Sequence, residues 1–153
     1  MRILVVSDSH GHSGALDNAL HRWPFYAAVF LGDGLRDWQE VTARLPANKE
    51  LRCVRGNCDW GALDAVDACT ADYGGVRVFY THGHLYGVKA DLERAMAAAS
   101  ERQAQVLLYG HTHTPRTFYK DGLHVLCPGS IAKGEYGTLA ITPQGIFTAL
   151  CRL

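Results

Sequence analysis

At 153 residues the chain has the length of one domain and enough material for a real hydrophobic core. Hydrophobic residues make up 48% and charged residues 20%, the proportions of an ordinary soluble globular protein rather than a disordered or fibrous one. Lys plus Arg and Asp plus Glu each number 15, so there is no basic excess of the kind that marks a dedicated nucleic-acid or membrane surface.

Residues 3–6 are a continuous aliphatic run, the pattern of a strand covered on both faces. The run turns polar at Ser7, too early for a signal peptide or a membrane span, and no later run reaches spanning length. Ser13 is positioned to cap a helix over residues 14–22, which Trp23-Pro24 closes. Residues 28–31 make the next strand. Asp37 is placed to cap a second helix with Trp38, Val41 and Leu45 on one face and Pro46 after it. Residues 51–54 give a third strand, and the βαβαβ order favours a parallel sheet with right-handed crossovers. Residues 68–73 and 76–81 then flank Gly74-Gly75, a hairpin signal. An alanine-rich helix is expected from Asp91 to Arg102, and another buried strand over residues 106–109. Two hairpins close the chain, one turning at Asp121-Gly122 and one around Pro143-Gln144-Gly145. The second half therefore reads as β-rich and largely antiparallel. With no linker or repeat visible, the expectation is one α/β domain over residues 1–153, built from two packed mixed sheets with helices outside.

Polar clusters follow the apolar runs: Asp8-Ser9-His10, Gly32-Asp33, Gly56-Asn57-Cys58-Asp59, His82-Gly83-His84 and Gly110-His111-Thr112-His113. Singly each is weak. Asp8 suits a turn, Asn57 after Gly56 suits a left-handed backbone, and a lone histidine suits a hydrogen-bonded core position. Together they persuade, because ligands of open α/β sheets gather at the carboxyl ends of strands. Six of the 8 histidines, namely 10, 12, 82, 84, 111 and 113, lie in or beside these clusters. Asp, Asn and His without thiolate suit Mn, with Ni, Co, Fe or Zn as substitutes, better than Mg, which favours oxygen ligands. Asp8, His10, Asp33, Asn57, His82, His111 and His113 are more donors than one ion needs. Two divalent ions sharing a carboxylate are expected, the arrangement that drives displacement at phosphorus through a bridging hydroxide. Ser7, Ser9 and Thr112 read as partners that orient these ligands. The pocket walls are expected from residues 34–38, 60–66 and 85–89. Cys53, Cys58, Cys69, Cys127 and Cys151 are odd in number and scattered, with no C-x-x-C pair, which points to reduced thiols in a cytoplasm.

The order of these clusters resembles that of the calcineurin-like metallophosphoesterases, and their spacing is most similar to the small YfcE-type phosphodiesterases of that superfamily. The resemblance runs from Ile3 to about Ile131. It implies a four-layer α/β/β/α sandwich acting as a dinuclear phosphodiesterase on a small phosphodiester. It also implies that Asp8, His10, Asp33 and His113 hold one metal, and Asp33, Asn57, His82 and His111 the other, with Asp33 bridging. Asn57 would also contact the reacting group. Many relatives carry histidine after the asparagine as the leaving-group acid; here that substrate-proximal position is Cys58. His84 is the rival acid. The alternatives are a non-enzymatic binding scaffold on the same fold, as in a retromer subunit that has lost key histidines, and a nuclease of the superfamily. The filled ligand set favours the enzyme over the scaffold, and the uncharged, minimal chain disfavours the nuclease. A homo-oligomer is compatible with the sequence.

Overall fold

The computed structural model describes residues 1–153. β1 (Arg2–Val6), α1 (Ser13–Arg22), β2 (Ala27–Phe30), α2 (Leu35–Thr42) and β3 (Glu50–Cys53) follow one another as the sequence predicts. β1, β2 and β3 are parallel, with Ile3 opposite Ala27 and Ala28 opposite Leu51. β4 (Ala68–Tyr73) and β5 (Val76–Thr81) form the expected hairpin across Gly74-Gly75. The chain continues through α3 (Glu93–Glu101), β6 (Val106–Tyr109), β7 (Arg116–Lys120), β8 (Leu123–Cys127), β9 (Glu135–Thr142) and β10 (Gly145–Arg152).

Two five-stranded sheets result, in the orders β10-β9-β1-β2-β3 and β4-β5-β6-β8-β7. Strand alternation sorts the side chains into layers. Ile3 and Val5 of β1 meet Val78, Tyr80, Val106 and Leu108 of the second sheet in a core between the sheets. Leu4 and Val6 point the other way, onto Leu16 and Leu20 of α1 and Trp38 and Val41 of α2. Phe79, Leu107 and Val125 pack outward against Ala95 and Ala99 of α3. The fold is the α/β/β/α sandwich expected. No helix is long and apolar enough to cross a membrane.

The second half is largely antiparallel as expected, in β4–β5, β7–β8, β9–β10 and β1–β9, although β5, β6 and β8 run parallel at the centre of their sheet. Three local expectations are corrected. Neither proposed helix cap acts as one. Ser13 is the first residue of α1, after His12, and makes no capping bond. Asp37 lies inside the first turn of α2, and its carboxylate instead accepts from Ser9 Oγ and the Gly11 amide. α3 starts two residues later than expected, where Asp91 accepts the Glu93 amide 3.0 Å away.

Candidate metal centre

Parallel strands bring their carboxyl ends to one edge of a sheet, so the polar clusters meet there. Asp8 and His10 follow β1, Asp33 follows β2, Asn57 follows β3, His82 follows β5, and His111 and His113 follow β6. The turns are tight. Asp8, His10, Asp33, His111 and His113 all have φ between 42° and 68°, the left-handed region that non-glycine residues avoid. Five of the seven expected ligands share this strained backbone, a cost that persists where the surrounding structure enforces it. Asn57 does not, so the left-handed turn, the alternative to a ligand role there, is absent.

Two buried carboxylates are each divided between protein and site. Asp8, fully buried, uses Oδ2 to accept from the Ser7 hydroxyl and the His111 amide. Its Oδ1 accepts no hydrogen bond, although His113 Nε2 lies 3.0 Å away and His10 Nε2 3.7 Å away. Asp33 accepts the Cys58 amide at Oδ1, 2.7 Å away. Its Oδ2 faces His82 Nε2 at 3.4 Å and His10 Nε2 at 3.9 Å. Asp33 Oδ2 is thus the atom shared by both sides of the cluster.

The histidines are set the same way. His82 donates from Nδ1 to the Leu31 carbonyl at 2.7 Å, which turns Nε2 toward the site. Nε2 faces Asn57 Oδ1 and His111 Nδ1, both 3.1 Å away. On the other side His10 Nε2 and His113 Nε2 stand 3.2 Å apart. So many imidazole nitrogens and carboxylate oxygens converging at close range make a donor set that a cation fits. Asp8, His10 and His113 form one group able to hold an ion, and Asp33, His82 and His111 another.

The electrostatics of the metal-free cluster follow. Burial pushes the Asp33 carboxyl up, but hydrogen bonds from His82 and the Cys58 amide outweigh it and hold the group below the usual carboxylate range. Burial lowers His82, yet the bond to Asp33 and the charges of Asp8 and Asp33 carry it above its ordinary value. Burial and the neighbouring His82 bring His111 down to about 4. Burial, then His82, lowers His84 as well.

His84 opens a 3-10 turn, His84–Tyr86, with its ring centroid 5.3 Å from that of His82 and 6.1 Å from that of His111. Its Nδ1 is buried without a partner. Cys58 Sγ is near enough to His10 and Asp33 to form a third ligand group with them, and it accepts from Asn57 Nδ2 at 3.3 Å. Burial and Asp33 raise its thiol above the ordinary value, which keeps it protonated.

Some supporting residues differ from expectation. Ser7 does hold the expected ligand Asp8, whereas Ser9 holds Asp37 and Thr112 reaches the Cys127 sulfur. Asp59 had no expected role, yet its carboxylate accepts the amides of Asp33, Gly34, Leu35 and Gly56, each at 2.8 Å. It thereby caps α2 from another segment and ties two ligand turns together. Its place at the end of Gly56-Asn57-Cys58-Asp59, where an acid commonly bonds nearby amides, is the signal that pointed to it. Ser130 was also missed; its hydroxyl holds the Asp8 carbonyl at 2.8 Å. Of the expected walls, residues 34–37 and 60–65 line a cleft beside the centre, and residues 85–89 do not.

A two-sheet sandwich with carboxylate, amide and imidazole donors gathered at its strand ends defines the metallophosphoesterase class. The sequence comparisons agree: the profile of the calcineurin-like phosphoesterase superfamily domain matches residues 1–142. The chain belongs to that family. It is 33% identical over 133 residues to the probable metallophosphoesterase YsnB of Bacillus subtilis, covering 86% of this chain and 75% of that protein. It is 31% identical over 164 aligned positions to the phosphodiesterase YfcE of Escherichia coli K12, covering 92% and 84%. A predicted phosphoesterase of known structure from Streptococcus pneumoniae TIGR4 superposes with a TM-score of 0.84 at 26% identity, covering 99% of this chain and 88% of that one.

Proposed function

We propose that this chain is a dinuclear metal-dependent phosphodiesterase acting on a small phosphodiester. One observation carries the reading: carboxylate, amide and imidazole donors of seven side chains converge in two adjoining groups, one at Asp8 Oδ1 and one at Asp33 Oδ2. In this reading Asp8, His10, Asp33 and His113 hold one ion, and Asp33, Asn57, His82 and His111 the other. The YfcE likeness supports phosphodiester rather than other ester substrates.

Two divalent ions bound there would supply Lewis-acid charge and an activated water for in-line attack at phosphorus. The chain's own residues do the rest. Leu31 fixes the tautomer of His82, and the Cys58 and His111 amides fix the two carboxylates, so the donors are set before an ion arrives. Asn57 presents Oδ1 to the centre, and of its two Nδ2 protons one goes to Cys58 Sγ and the other is left to donate to a substrate oxygen. Cys58, protonated, borders the substrate and is not the nucleophile. His84 stands beside the second ion's ligands as the one nearby base that is not itself a ligand. All five cysteines are free, which supports a reducing compartment such as the cytoplasm. A filled donor set favours catalysis over a binding scaffold.

The test is elemental analysis of the reconstituted protein with a turnover screen on bis(4-nitrophenyl) phosphate. Two ions per chain are expected, with activity highest in Mn²⁺, sustained by Ni²⁺, Co²⁺ or Fe²⁺, and poor in Mg²⁺. One ion or none, or equal activity in Mg²⁺ and Mn²⁺, contradicts the imidazole-rich dinuclear reading.

A further inference from the structure

The cleft beside the metal centre has a second end. From His10, Asp33 and Cys58 it extends, with a volume of about 1040 Å³, between α2 and the loop of residues 59–65. This loop is built rather than slack. The Ala62 amide donates to Asp59 O, the Ala65 amide to Ala62 O, and the Arg55 amide to Val66 O at 2.8 Å. Arg55 clamps Asp67 just beyond it through both carboxylate oxygens. Trp60 follows Asp59 directly, so the acid that holds the ligand turns also holds the base of the indole.

Trp60 is 90% exposed and Leu63 85% exposed. The indole has no aromatic, cationic or hydrogen-bonding partner in the chain. Leu35 and Ala62 add apolar surface to the same cleft. Apolar surface held open at the rim of a binding site marks a place for a ligand. The charges there limit what it takes. Glu40 and Asp64 line this end against the single cation Arg36, which makes no ion pair of its own. A further phosphate is disfavoured beside that acidic excess, and a flat neutral group is not.

We propose that Trp60, with Leu35, Ala62 and Leu63, forms a subsite for a neutral aromatic substituent, an aryl group or a nucleobase, on the phosphodiester. This rests on the phosphodiesterase reading above and names its substrate class.

Phosphonates carry one organic group, bind metal centres as anions and do not turn over. Calorimetric titration of Mn²⁺-loaded protein with methyl-, cyclohexyl-, phenyl- and 4-carboxyphenylphosphonate therefore reads the subsite without chemistry. Phenylphosphonate should bind about tenfold tighter than methylphosphonate, the size of one aromatic stack. It should also bind more tightly than the cyclohexyl and carboxyphenyl compounds. Trp60→Ala should bring the phenyl-to-methyl ratio close to one, and Trp60→Phe should retain it. A ratio that survives Trp60→Ala, or no preference in the wild type, overturns the subsite. So does a Trp60→Ala protein with the ratio intact and a lower mass in solution, since the loop is then an interface between copies. If phosphonates bind without preference while diesters are hydrolysed, the subsite alone fails. If no phosphonate binds and no diester is hydrolysed, the phosphodiesterase reading fails and takes the subsite with it.

Discussion

At the scale of single residues, Asp8 and Asp33 each give one oxygen to the protein and offer the other to the site. Asp33→Asn keeps the acceptor for the Cys58 amide and removes the shared charge. It should leave fewer than one ion per chain by elemental analysis and lower turnover by more than about 100-fold, beyond what loss of an outer ligand-orienting group costs. Near-normal turnover would show that Asp33 is not shared. His111 makes the metal-free protein sensitive to acid. Its folded value of about 4 lies below the ordinary 6.5, so the unfolded chain takes the proton first. The stability it contributes is present above about pH 6.5 and is lost as pH falls toward 4. His82, raised, acts in the other direction and above that window. Melts of the chelator-treated protein should thus lose more stability on acidification in wild type than in His111→Gln; parallel curves would remove His111 from the account. The leaving group is a third matter. Cys58 replaces the usual acid, and burial, then His82, lowers the His84 imidazole below its ordinary value. Good acid catalysis is worth about 10²–10⁴-fold, so its lack should show as a steep dependence of rate on leaving-group pKa. Cys58→His should gain most on alkyl esters. A flat series that His84→Ala makes steep would instead identify His84 as the acid.

At the scale of elements, the donors were legible because polar clusters stood out against aliphatic strand runs, and the β4–β5 hairpin and β6 were legible for the same reason. The caps were not. Ser13 and Asp37 have the right residue types for caps, but sequence proximity does not say which acid reaches a helix end. The amides at the start of α2 are taken by Asp59, more than twenty residues away, so Asp37 is released to hold Ser9 and Gly11. Parallel pairing of β6 with β8 was hidden similarly, since a hairpin signal names the antiparallel partner and not the far neighbour. The fit of these turns makes two predictions. Asp59→Ala strands four amides and should lower stability by about 2 kcal/mol in denaturant melts, with a smaller loss in Asp59→Asn. A change no larger than that of an exposed surface substitution would mean water replaces the carboxylate. Gly56→Ala would set a methyl 2.5 Å from the Asp33 nitrogen and closer still to Asp33 Oδ1. The displaced carboxylate should cost metal occupancy, read by elemental analysis, and full occupancy would show that the turn can yield.

At the scale of the whole molecule, ions held by Asp8, His10, Asp33 and Asn57 from the first sheet and by His82, His111 and His113 from the second would join the two sheets at one edge. Metal should therefore raise the melting point as a cross-link does. Ion present at a hundred times its dissociation constant would add about 2.7 kcal/mol, and chelator should return the loss. Equal melting points with and without Mn²⁺ would count against ligation across the sheets. The division of donors has a further meaning for the chain as it is made. Four of the seven emerge early in synthesis and three come only after residue 81, with His113 more than a hundred residues behind Asp8. A nascent or truncated chain holds only part of the chelate, and a chain whose sheets have not met cannot close it. Tight metal capture is thus reserved for molecules that have completed their folding, and hydrolytic power is withheld from all the others.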